Sequence, residues 1–275
     1  MKKSDLEAHI KSGNVVPFLG MGVFKETKTD DGDQIPFDSD SMILSLNGGR
    51  AMSPRLMYEY SRAAMSLEQR KGRAFIEQMT HHIFTHKPYP MPEAYQWLQT
   101  LMPQYVVDLN LDDSLLKLYG EVNHFLITGV SRIMAGYDRF IVYAYTASTK
   151  EYHPVEKEML NPLLPILFKP LGCTVPDKNF IISDADFVDW LTEAMGGYAL
   201  PPFLKTYKNS KSYLFLGIDF DRDTYRMVAN EITLGLEGGY LVNDKENVSK
   251  KEEKFLNSHS IEKLDTTLEA FLRGE

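Results

Sequence analysis

The chain has 275 residues, 43% hydrophobic and 25% charged, which is enough apolar material for a full core and excludes a disordered chain. Its 30 Lys and Arg against 38 Asp and Glu give a formal charge of −8, which excludes a general nucleic-acid surface, since phosphate binding without sequence preference needs a basic excess. The single cysteine, Cys173, excludes an internal disulfide and a four-cysteine zinc cluster, and reads as a small buried hydrophobe.

The first residues, Met1-Lys-Lys-Ser-Asp-Leu, carry no apolar signal core, and no stretch approaches the roughly 20 apolar residues of a membrane span. The expected compartment is therefore the cytoplasm, with no membrane partner. Ser4 and Glu7 have capping-box spacing, and Leu6 and Ile10 form an apolar stripe that stops at Gly13, which predicts a lead-in helix. Val15 to Leu19 is an apolar run that enters Gly20-Met21-Gly22, a buried strand ending in a tight turn. Glycines there would let backbone amides approach an anionic ligand, although a plain strand-to-loop corner has the same pattern.

Lys25 to Arg50 is polar and turn-rich and reads as a long loop leaving that turn, a candidate cover for a ligand. From Ser53 to Leu101 the apolar spacing predicts about three helices. His81, His82 and His86 have spacings that a metal could use, but no carboxylate or cysteine accompanies them, so they read as a polar helix face. Tyr105 to Leu109 is a second strand, and it ends in Asn110-Leu111-Asp112-Asp113 before a helix that opens at Ser114. In an open α/β sheet that is where ligand contacts gather, whereas the plainer account of Asp112 and Asp113 is a helix cap and turn.

Further extended segments are expected at 124–133, 139–145, 162–169, 179–183, 212–217 and 239–243. Helices are expected from Asp186 onward behind a Ser183 cap, over 221–234, over 251–258 and over 266–272. This alternation predicts an α/β fold, a Rossmann-like parallel sheet flanked by helices. The whole chain, 1–275, reads as one domain, with residues 25–102 as a loop and helical insertion within it.

In order along the chain, the strand ends resemble those of the sirtuin-like superfamily of NAD-binding proteins. Phe18-Leu-Gly20-Met21-Gly22-Val-Phe24 keeps the glycines of the family's first turn, with Phe24 where serine is usual. Asn110 and Asp112 match the family's Thr-x-Asn-x-Asp, and Phe168-Lys169-Pro170-Leu171-Gly172 stands where it has Lys-Leu-His-Gly. Ile181 to Phe187 is similar to its acidic and aromatic helix opening. Leu214 to Gly217 with Asp221-Arg-Asp223 resembles the bacterial branch that hydrolyses NAD, and Leu241-Val-Asn243 resembles the strand whose Asn contacts the adenosine ribose.

The resemblance implies NAD or an ADP-ribose-type nucleotide as cofactor. Gly20, Met21, Gly22, Asn110, Asp112, Gly217 and Asn243 would hold it, and Asn110 and Asp112 would act at the nicotinamide end. No metal is implied, because the zinc-binding cysteines of deacetylating sirtuins are absent, so protein deacylation is not expected. Leu171 replaces the family's general base, and leucine cannot accept a proton. Proton transfer of that kind contributes ~10²–10⁴ in rate, so the expected role is regulatory or sensing rather than catalytic.

The alternative is an active NAD glycohydrolase using Asp112, Asp113 or His153 as a substitute base. A nicotinamide oxidoreductase fits less well, because Lys25 stands where a third glycine should be. An interaction protein on a recycled fold is the plainest reading, and the sequence leaves a protein partner or self-association open.

Overall fold

A computed structural model describes residues 2–275. Helix α1 (Lys3–Lys11) buries Leu6 and Ile10 on one side and feeds strand β1 (Val15–Leu19), all five residues of which are buried. The capping box expected from Ser4 and Glu7 does not form. The helix begins at Lys3, which puts Ser4 inside the first turn, and the Glu7 carboxylate accepts from the Trp97 indole N–H at 2.8 Å instead.

The segment expected to be a loop over 25–50 contains helix α2 (Ser39–Leu46). Its cap is Asp38, whose carboxylate accepts from the Ser41 amide at 2.7 Å, while the Ser41 hydroxyl accepts from the Asp38 amide at 3.0 Å. That reciprocal pair is a capping box with its acidic and hydroxyl members exchanged, so turn-rich composition concealed it. Helices α3 (Pro54–Met57), α4 (Tyr60–Lys71), α5 (Arg73–Thr85) and α6 (Glu93–Leu101) follow, four where about three were expected. Gly72, at φ +88°, makes the break between α4 and α5.

The chain then alternates: β2 (Tyr105–Asp108), α7 (Ser114–Leu118), β3 (His124–Gly129), β4 (Phe140–Thr146), β5 (Glu151–Val155) and β6 (Ile166–Lys169). A short antiparallel pair, β7 (Gly172–Cys173) and β8 (Asn179–Phe180), precedes α8 (Asp184–Gly196) and α9 (Pro202–Tyr207). The last stretch is β9 (Ser212–Leu216), α10 (Asp223–Ile232), β10 (Gly238–Val242), α11 (Lys250–Ser258), β11 (Ile261–Leu264) and α12 (Leu268–Arg273).

Among the described residues the main sheet has nine strands in the order β11-β10-β9-β1-β2-β6-β3-β4-β5. From β11 to β3 every pairing is parallel; β3-β4 and β4-β5 are antiparallel. The α/β class and the mostly parallel sheet stand as the sequence reading had them, and the meander at one edge is a departure. Its reason is chain length: the connections after β3 and β4 are too short for the dozen or more residues of a parallel crossover.

Three strands were not expected: β7 in the short pair, and β5 and β11, which lie at the two edges of the main sheet. Pro154 within β5 is tolerated because an edge strand need not donate from every amide. From β1 the chain passes to β2 on one side and returns to β9 on the other, so the carboxyl ends of β1 and β9 bound the crevice where such sheets hold ligands.

Candidate nucleotide cleft

Leu19 pairs with Leu216, so the turns that leave β1 and β9 start side by side. The Gly20 amide donates to the Leu216 carbonyl at 3.0 Å, the Gly22 amide to the Gly217 carbonyl at 2.8 Å and the Val23 amide to Gly20 at 3.2 Å. A Cβ on Gly20 would lie 2.6 Å from Ile218 Cγ1, and one on Gly22 would lie 2.8 Å from Gly217 Cα. Gly217 sits at φ +64°, and a Cβ there would come within 2.3 Å of the Val23 nitrogen. The glycines therefore let two turns interlock. The expectation that this turn presents its amides to a phosphate is corrected for Gly20, Gly22 and Val23, whose N–H groups are engaged by protein carbonyls.

Beyond the interlocked turns lies a cleft of about 290 Å³, at the small end of the roughly 300–1,000 Å³ of small-molecule pockets. Met21, Gly22, Gly217 and Asn243 all line it. The Asn243 side-chain carbonyl accepts from the Lys245 amide at 2.8 Å, which orients its NH₂ group as the donor. Phe37 and Asp38 reach the cleft from the segment before α2, and Tyr225 from α10. Lys25, Arg222 and Lys245 are its cations, outnumbered by the carboxylates of Asp38, Asp40, Asp219, Asp244 and Glu269.

Asn110 and Asp112 are not among these lining residues. Asn110 is 1% exposed, and its amide donates to the Gly20 carbonyl at 3.2 Å and to the Tyr95 hydroxyl at 3.0 Å. That hydroxyl donates to Asp108, which also receives the Lys169 ammonium at 2.7 Å, both partners fully buried. Asp108 and Lys169 end adjacent parallel strands, and the Val107–Phe168 register brings them together. Asp112 is 3% exposed; one carboxylate oxygen accepts from the Ser114 amide at 2.9 Å and the other has no partner. Burial pushes the Asp112 carboxyl up, opposed by Lys169.

Leu171 is 2% exposed and belongs to the core. The Cys173 thiol donates to the Asp112 carbonyl at 3.1 Å, and burial pushes it up to about 11, which makes it unreactive. Of the substitute bases, Asp113 pairs with Lys117 at 2.7 Å, and His153 lies on edge strand β5, four strand positions from β2. His82 stacks on His86 at 4.7 Å, and His86 faces Asp33 at 3.5 Å. Among the described residues no group of three His, Cys, Asp or Glu could hold a metal ion.

A family model described as the SIR2-like domain matches residues 133–264. Over those residues the chain is similar to that family. The SIR2-like segment contains Leu171, Gly217 and Asn243, together with β6, β9 and β10. It leaves out the Gly20–Gly22 turn and the Asn110–Asp112 cluster, which the sheet brings against it. Among curated proteins no match was found.

The cleft offers a polar amide at the end of β10 and apolar walls from Met21 and Ile218. The residues expected at the nicotinamide half are closed off beneath it. Sequence reasoning missed Tyr95, Asp108, Lys169 and Asp219. The signal for Asp108 and Lys169 was present, an ionisable residue closing each of two apolar strands.

Proposed function

We propose that the chain binds NAD or an ADP-ribose-type nucleotide without hydrolysing it, serving as a sensor or regulatory subunit. The observation that carries this reading is the meeting of Met21, Gly22, Gly217 and Asn243 at the β1/β9 crevice, while the position of the missing base is filled by buried Leu171. NAD would supply a labile nicotinamide–ribose bond. Asn243 would hold the adenosine side, and Asn110, tied to Gly20 and Tyr95, would stand beneath the other end.

Incubating the pure protein with NAD tests it, with equilibrium dialysis for binding and chromatography for nicotinamide. The expected result is retained NAD with no nicotinamide above the blank. A second reading, glycohydrolysis with Asp112 as base, draws on its unpartnered oxygen and raised pKa. Nicotinamide release that is abolished by Asp112→Asn would establish that reading in place of the first.

A further inference from the structure

Large apolar side chains scattered singly over a surface are ordinary, but in this molecule they gather. Of the twelve that are exposed among the described residues, six lie on or beside helix α8 and its neighbours: Met134, Tyr137, Val188, Met195, Tyr198 and Met227. Helical spacing along α8 sorts its outer surface into three strips. Asp189 and Glu193 face buried Arg139, Leu191 and Met195 line a groove against α10 and α11, and the exposed Val188 and Thr192 form the ridge between those two strips. On the first side, Arg139 is 2% exposed, and its guanidinium donates to the carbonyls of Met134 and Tyr137, each at 3.2 Å, and to Asp189 at 3.2 Å. A buried cation is thus committed to a loop whose side chains, Met134 at 71% and Tyr137 at 59%, stand in water as a knob. On the other side, the groove has a volume of about 490 Å³ and an apolar floor from Leu191, Met227 and Phe255. Its rim carries Arg226, Lys251 and Lys254 against Asp223 and Glu231.

We propose that this face is the interface of a two-fold homodimer, in which the Met134–Tyr137 knob of each copy sits in the α8/α10/α11 groove of the other and Val188 lies close to the axis. Charge selects a second copy as the occupant. Beside the knob two carboxylates, Asp189 and Glu193, share the Arg139 guanidinium, whereas at the groove three cations meet two carboxylates. The excess is negative on one side of the α8 ridge and positive on the other, so a half-turn about that ridge sets each against its opposite. A surface that holds both the projection and the recess, with opposite charge at each, is complementary to itself. Methionine and tyrosine supply five of the six exposed side chains, and both are enriched at interface centres.

Sedimentation equilibrium of the full chain tests the proposal, alongside Met134→Asp and Lys254→Glu. The wild type should weigh twice 31.5 kDa at about 50 μM, above the micromolar dissociation constants of modest dimers. Met134→Asp charges the knob and Lys254→Glu reverses a charge at the groove rim, and each should weaken the dimer roughly tenfold or more. The effect of Lys254→Glu should shrink as salt rises. Both residues are exposed, so the variants should keep the wild-type circular dichroism spectrum. Leu163→Asp, at an exposed apolar side chain by the amino end of β6, at the far end of the sheet from the knob, should leave the dimer unchanged. A wild type that stays monomeric leaves the face to another occupant and overturns the proposal. A dimer that either Met134→Asp or Lys254→Glu leaves intact overturns it too, as does an assembly that grows past two copies, since a two-fold contact closes.

Discussion

Glu59 has a carboxylate that is 4% exposed, just before α4 and close to Arg222 and the Thr224 hydroxyl. Burial pushes it up to about 7, against the attraction of Arg222. Between the ordinary value of 4.5 and about 7 the folded chain holds this proton more tightly than the unfolded one, so its contribution to stability falls as pH rises through that window. Glu59→Gln should therefore gain roughly 1–3 kcal/mol at pH 8 and almost nothing at pH 4, read from urea denaturation at the two values. A gain that is equal at both would show that the charge is not the cause. At this scale the burial of Cys173 was legible from its residue type alone. The Asp108–Lys169 pair was not, because the two are distant in sequence and meet only once β2 lies beside β6. The burial of Asn110 was not legible, since its ties run to Gly20 and Tyr95 on other elements.

Turn against turn is the element-level device that makes the cleft. Gly217→Ala places a Cβ against the Val23 nitrogen and forces a side chain into the left-handed region, so it should cost roughly 2–4 kcal/mol and lower the melting temperature. A loss below about 0.5 kcal/mol, the scale of an ordinary surface change, would contradict the interlock. The sequence marked Gly20 and Gly22 correctly as a strand-ending turn but did not show the turn they pack against, because the pairing of β1 with β9 joins segments nearly 200 residues apart. Helix α2 was hidden by polar, turn-rich flanks, and β5 and β11 by the weak patterning of edge strands. The strongly apolar strands β1, β2 and β9 were the easiest to read, since strands covered on both faces leave continuous apolar runs.

Across the whole molecule, the strand order is what brings the scattered motifs to one end of the sheet. The helices α2 to α6 all lie between β1 and β2 in sequence, yet β1 and β2 are neighbours in the sheet, so that excursion leaves the crevice intact. The ordering β9-β1-β2-β6 sets Gly217, Gly20, Asn110 and Leu171 in a row at the strand carboxyl ends, with the cleft above one part and a sealed polar network beneath the other. Hydrogen exchange with and without saturating ADP-ribose tests this arrangement most directly. Slowed exchange should be concentrated in peptides covering 20–25, 217–222 and 242–245. Protection confined to other segments, or none at all, would contradict it.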